Sequence, residues 1–142
     1  MASYHFHLTQ VKRSRGQSVI AQAAYRAGEK LYSTYYGESS DFTRKRGVVM
    51  AEICLPDHAP REYADRETLW NALEWAETGR KAQLAHSFDI TLMNEFSMEE
   101  NIEMARTFVR EELVSRGMIA DFAIHDPVWP KGAEPNPHIH IL

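Results

Sequence analysis

Two histidines, His138 and His140, stand one residue apart in HIHIL, the apolar run that closes the chain. In an extended strand alternate side chains share a face, so both imidazoles project one way and Ile139 and Ile141 the other. Two neutral imidazoles side by side begin a site for Mn, Co, Ni or Zn. Two ligands are not enough, and His125 is the candidate for the third. It ends the run MIADFAIH; if residues 118–125 and 138–142 pair as antiparallel strands, it lies opposite or diagonal to the pair, with Cβ separations of roughly 5–8 Å. Three histidines with open coordination positions fit a catalytic ion better than a closed structural one. The competing reading of H-x-H, two half-solvated imidazoles, stands until that third ligand is placed. A second pair, His5 and His7 in YHFHL, has no third histidine at an equivalent position and reads as solvent-facing. His58 and His86 read as ordinary.

No Walker loop, H-E-x-x-H or Ser-His-Asp spacing offers itself for such a metal to serve. A nucleophile does. Tyr25 lies in GQSVIAQAAYRAGEK among Ala21, Ala23, Ala24, Ala27 and Gly28, small neighbours that leave a phenol oxygen approachable. A free phenol, with a pKa of about 10, attacks poorly at neutral pH. Positive charge from Arg26 and the KRSR turn, or a metal-held phosphate, is what it needs. The plainer alternative is a helix tyrosine with no chemistry.

The net charge of −4 argues weakly against a nucleic-acid partner, but its distribution argues the other way. Residues 1–46 carry Lys12, Arg13, Arg15, Arg26, Lys30, Arg44, Lys45 and Arg46 against Glu29, Glu38 and Asp41, while the remainder is strongly acidic. A basic first third on an acidic body makes a local anion site. Cys54 is the single cysteine, so no internal disulfide forms. The opening MASYHFHLTQVK lacks the apolar core of a secretory signal, and no apolar run approaches the ~18 residues of a membrane span. A cytoplasmic protein without membrane insertion is expected.

At 142 residues the chain is expected to be one domain, 1–142. Alternation predicts strands over 4–11, 47–56, 86–93, 118–125 and 138–142. Helical spacing predicts helices over 17–31, with Ser18 as cap, over 65–85, capped by Asp65, and over 97–117, where Ser97 and Glu100 make a capping box and Gly117 the stop. Residues 32–46 show no period and admit at most a short hairpin; 126–137 is a proline-rich loop. The order β-α-β-α-β-α-β-β predicts an α+β layer architecture, one sheet with its last two strands antiparallel and the helices packed on one face. The last strand breaks off abruptly, so the chain is expected to continue past Leu142.

The ordered set MASYHF, GQSVIAQAAYRAGEK, DFTRKRGVVMAEICLP, LWNALEWAE, RKAQLA, RGMIADFAIHDP and NPHIHIL resembles the N-terminal relaxase domain of the MobA/MobL (MobQ-type) plasmid mobilization family. It is also similar to the relaxase portion of TraA-type conjugation proteins. The resemblance covers essentially the whole chain and implies a five-stranded antiparallel sheet with helices. It implies that Tyr25 is the nucleophile and that His125, His138 and His140 hold a divalent ion, Mg²⁺ or Mn²⁺. It further implies nicking of one strand of plasmid DNA at a transfer origin through a 5′-phosphotyrosine link, with accessory mobilization proteins and a coupling protein as partners. Many relatives carry Arg-Glu before the middle strand, where this chain has His86 and Ser87. Asp89, two residues on and on the same strand face, is the candidate replacement for that acid, with Asp121 and Asp126 as alternatives. In this setting Lys12, Arg13, Arg15, Arg26, Arg44, Lys45 and Arg46 would hold the DNA backbone. Tyr32, Tyr35, Tyr36 and Phe42 would stack on bases or pack under a loop. Two other readings stay open: a non-catalytic single-stranded-DNA-binding module of the same fold, and a rolling-circle replication initiator. Initiators usually place the tyrosine after the histidine motif; Tyr25 precedes it.

Overall fold

The computed structural model describes residues 5–127, 131–132 and 136–142. In chain order the elements are β1 (Phe6–Lys12), α1 (Val19–Ala27), β2 (Lys30–Ser33), β3 (Glu38–Asp41), β4 (Val48–Cys54), α2 (Arg66–Ala76), β5 (Gln83–Thr91), α3 (Met98–Phe108), β6 (Ala120–His125) and β7 (His138–Ile141). Five strands form one sheet in the order β1-β5-β7-β6-β4, with every adjacent pair antiparallel. That is the expected α+β sheet, and β6 and β7 are neighbours as expected. β2 and β3 form a separate two-stranded hairpin inside the segment that lacked a period. Residues 1–4, which include the first residue of the strand expected over 4–11, and 128–130 and 133–135 of the proline-rich loop lie outside the described residues.

The helices divide between the two faces of the sheet rather than packing on one. In β6, Ala120, Phe122 and Ile124 alternate with Asp121, Ala123 and His125, and all six are buried. The first set packs with Ile139 and Ile141 against Ala105, Val109 and Leu113 of α3 and the turn after it. On the other side Ile20, Ala23 and Ala24 of α1 and Leu69 and Trp70 of α2 pack with Val11, Leu84 and Leu142. A strand buried on both sides requires cover on both sides.

Element ends shift for local reasons. α1 stops at Ala27, not Leu31, because Gly28 adopts a left-handed φ of 67° and its N–H closes on Ala24 O. α2 ends at Ala76; of residues 77–85, expected to be helical, 77–82 form a turn and 83–85 enter β5, drawn into pairing with β1. The Ser97–Glu100 capping box forms as read, and the end of the third helix loosens into a π turn (Val109–Leu113) and a 3₁₀ turn (Val114–Arg116) before Gly117.

One contact has no signature in the sequence. Glu74 of α2 is fully buried. Its Oε1 accepts from Ser18 Oγ at 3.0 Å and from the N–H groups of Val19 at 2.9 Å and Ile20 at 3.4 Å; Oε2 accepts from Ser33 Oγ at 3.1 Å. A carboxylate thus satisfies the orphan donors at the start of α1 and meets the positive end of its dipole. Glu74→Ala strands these donors in the core and is expected to cost about 3 kcal/mol. Thermal unfolding would show it, and an unchanged midpoint would mean that α1 does not depend on Glu74.

Candidate active site

β6 and β7 pair with His125 directly opposite His138, and His140 follows on the same face. Ring centroids are 5.7 Å apart for His125–His138, 4.4 Å for His125–His140 and 4.7 Å for His138–His140. One nitrogen from each ring lies within 4.8 Å of the others. His138 Nδ1–H donates to Asn136 O at 3.0 Å, and His140 Nδ1–H donates to the Asp89 carboxylate. A carbonyl or carboxylate only accepts, so the nitrogen facing it carries the proton, and Nε2 is the lone pair each of these rings has to offer. His125 Nε2–H donates to Arg26 O at 2.7 Å. Burial pushes the His125 imidazole down to about 4 and lowers His140 against the pull of Asp89. Both rings are therefore neutral at neutral pH, the state in which imidazole binds a metal. Three converging imidazoles, one braced by a carboxylate, fit a divalent ion.

Asp89, of β5, pairs in register with His140. Burial pushes its carboxyl up, but the hydrogen bond from His140 and the positive charge of Arg26 are among the causes that outweigh this and hold it below the ordinary range. Its contact is with a histidine. The alternative Asp121 is committed elsewhere: it takes two bonds from Arg66, at 2.8 and 2.9 Å, and one from Trp70 Nε1 at 2.8 Å. Arg66 also reaches Glu29 at 2.6 Å, so Asp121 belongs to a buried ion pair that ties α2 to the sheet.

Tyr25 is exposed near the end of α1, with its ring edge-on to Phe42 at 5.3 Å. Lys45 Nζ lies 3.3 Å from the ring centroid and donates to Tyr25 O at 2.9 Å. Burial, with Arg26 nearby, lowers the Lys45 ammonium to about 8. Arg26 donates to Gln22 Oε1 at 2.6 Å and to Ser87 Oγ at 2.5 Å, and its buried Nε has no partner. Burial lowers the Arg26 pKa against the pull of Asp89, Asp121 and Tyr25. Ser87 thus holds the guanidinium with a neutral oxygen. The His125–Arg26 bond docks this end of α1 on the triad.

The other basic residues separate. Arg44 and Arg46 are exposed on the loop leading into β4, whose first residue pairs with His125. Lys12 ends β1 and Arg13 and Arg15 follow it, roughly 20 Å along the strand from its histidine end. Arg13 donates to Glu74 O at 2.8 Å and Glu77 O at 3.0 Å, closing the C-terminus of α2, and covers the Tyr35 ring at 4.1 Å. Tyr35 also stacks edge-on with Tyr36 and with Trp75, an exposed partner that the sequence reading did not single out. Tyr32 is exposed on the hairpin, and Phe42 is spent on Tyr25.

A model of the MobA/MobL family matches residues 17–142. The probable mobilization protein MobA of Bifidobacterium longum is 37% identical over 142 residues, covering 100% of this chain and 24% of that protein. The conjugal transfer protein TraA of Rhizobium radiobacter is 37% identical over 152 residues, covering 100% of this chain and 13% of its own length. The chain thus spans about a quarter or less of these curated relatives. Among solved structures, one from work on the molecular basis of vancomycin resistance transfer in Staphylococcus aureus superimposes with a TM-score of 0.89 at 35% identity, over 99% of this chain and 69% of that one. A family match across most of the chain, on a sheet that gathers the three histidines, places this protein in the MobA/MobL family.

Proposed function

We propose that this chain is a relaxase domain that cuts and rejoins one strand of plasmid DNA at a transfer origin. The observation that carries the reading is the docking of the Tyr25–Arg26 end of α1 on His125 at 2.7 Å, beside three converging imidazoles. Tyr25 Oη attacks the scissile phosphorus and the P–O3′ bond breaks. The phenolic proton passes to solvent, and the departing 3′ oxygen takes one up. The strand then ends in a free 3′-OH, and its 5′-phosphate is esterified to Tyr25. The ester preserves the bond energy, so attack by a 3′-OH rejoins the strand. When bound by His125, His138 and His140, Mg²⁺ or Mn²⁺ supplies positive charge to the non-bridging phosphate oxygens.

The chain's own side chains have distinct tasks in this reading. Asp89 fixes the ring orientation and tautomer of His140. Arg26, held in place by Gln22 and Ser87, sets a positive charge beside the phosphate. Arg44, Lys45 and Arg46 guide the strand toward Tyr25. Lys12 and Arg15 lie far along the sheet and would meet DNA outside the nicked region. Accessory mobilization proteins, a coupling protein and a cytoplasmic setting in the plasmid's host complete the proposal; no helix among the described residues is long and apolar enough to cross a membrane.

The test uses labelled single-stranded oligonucleotides tiling the transfer region of its own plasmid, with Mn²⁺ or Mg²⁺, and a denaturing gel. A shifted band that survives denaturation is expected. DNA binding without such a band would favour a non-catalytic binding module of this fold.

Lys45 gives the reaction a pH signature. Its ammonium, over the Tyr25 ring, stabilises negative charge on the phenol oxygen and is present below about pH 8. Adduct formation by the wild type relative to Lys45→Met should be about tenfold faster at pH 7 and approach equality by pH 9, where the lysine is neutral. Rate ratios across that range check this; a ratio independent of pH would sink the assignment.

A further inference from the structure

The triad does not end the row of imidazoles on this face. β1 pairs with β5 with His7 opposite Asp89, and β5 pairs with β7 with Asp89 opposite His140. Directly opposed residues share a face, so His7 stands in line with Asp89 and His140. One row along, Thr91 N donates to His5 O at 2.9 Å, Thr91 pairs with His138, and His138 pairs with His125. His5 therefore closes a row of four strands that begins at His125. The His5 and His7 rings are exposed and stacked, with centroids 6.0 Å apart and planes 22° apart. A cleft of about 250 Å³, with His5, Asp89, Thr91, Asn136, His138 and His140 in its lining, connects this shelf to the triad.

The shelf does not complete a second metal site. Among the described residues, the triad is the one group whose ligand atoms converge, and the carboxylate of Asp89, opposite His7, is engaged by His140. Imidazole offers an N–H in either protonation state, and Thr91 adds a hydroxyl, so the shelf is furnished to meet an anion. Its position names the anion. Tyr25, Arg26 and Lys45 approach the triad from the His125 side, where α1 packs over β6 and β4. His5 and His7 lie on the opposite side. A strand laid across the triad from the 44–46 loop runs onto them.

We propose that His5 and His7 bind the backbone phosphate that neighbours the scissile one, on the side of the triad away from Tyr25. This rests on the relaxase reading for the word scissile, but not for the DNA contact itself. The test is fluorescence anisotropy of a labelled single-stranded oligonucleotide from the transfer region, in metal-free buffer, with Mn²⁺ affinity measured separately by calorimetry. His5→Ala/His7→Ala is expected to bind DNA about ten- to hundredfold more weakly at unchanged Mn²⁺ affinity. His5→Gln/His7→Asn, which keeps an N–H donor at each position, should stay within about threefold of wild type. Both side chains are exposed, so folding is not at stake. Unchanged DNA affinity in the alanine pair would overturn the proposal. So would equal losses in both pairs, or a parallel loss of Mn²⁺ affinity, which would make the histidines supports of the metal centre. If no Tyr25 adduct forms while the alanine pair still loses DNA affinity, the nicking reading fails and the shelf stands as a DNA contact.

Discussion

Tyr25→Phe abolishes the covalent adduct and leaves DNA binding within about twofold of wild type, because the phosphate contacts that supply affinity stay in place. The substitution removes one oxygen. The ring remains, so its edge-on contact with Phe42 and its cover by Lys45 persist. With Tyr25 half exposed, no core contact is lost. A reaction that needs that oxygen as nucleophile loses at least about 10³-fold in rate, since only water or a misplaced hydroxyl is left to attack. The denaturing gel reads this directly. A band that persists in the phenylalanine variant would show that another tyrosine carries the bond. Tyr32 and Tyr36, exposed on and beside the β2–β3 hairpin, would then be the next to replace.

His138→Ala/His140→Ala is expected to lower Mn²⁺ affinity by at least about 100-fold, since two of three ligands go. In wild type a saturating ion binds only the folded state and raises the unfolding midpoint; in the double variant that rise should vanish. Asp89→Asn should produce a smaller loss, about 10- to 100-fold, because it loosens the His140 ring without removing a ligand. Calorimetry with Mn²⁺ and thermal unfolding with and without it distinguish the two grades. A midpoint that rises equally in wild type and double variant would place the ion elsewhere.

Much of the site was legible in the chain because strand geometry has period two. H-x-H on an alternating run puts both rings on one face whatever the rest of the molecule does, and the pairing of β6 with β7 then needed only the expected antiparallel turn to bring in His125. The capping box at Ser97 and the Ser18 cap were legible for the same local reason. The boundaries of α1 and α2 were less so. Periodicity continues past the point where Gly28 turns the chain and where pairing with β1 claims residues 83–85.

What the amino-acid sequence determined by itself is whatever depends on near neighbours along the chain: the alternation of His138 and His140 with isoleucines, the alanine-flanked Tyr25, and the existence of the five strands. What only the tertiary structure decided is which distant groups meet. Helices cover both faces because both sides of β6 are buried, Phe122 and Ile124 against α3 and the turn after it and Asp121 against Arg66 and Trp70 of α2. Glu74 reaches the start of α1 across 56 residues of chain. Asp89 turns to His140 while Asp121, the alternative, is claimed by Arg66 and Trp70. His5 and His7 join the row of the triad although in sequence they stand at the opposite end. Strand order is a property of how loops close and which faces bury, and no local pattern encodes it.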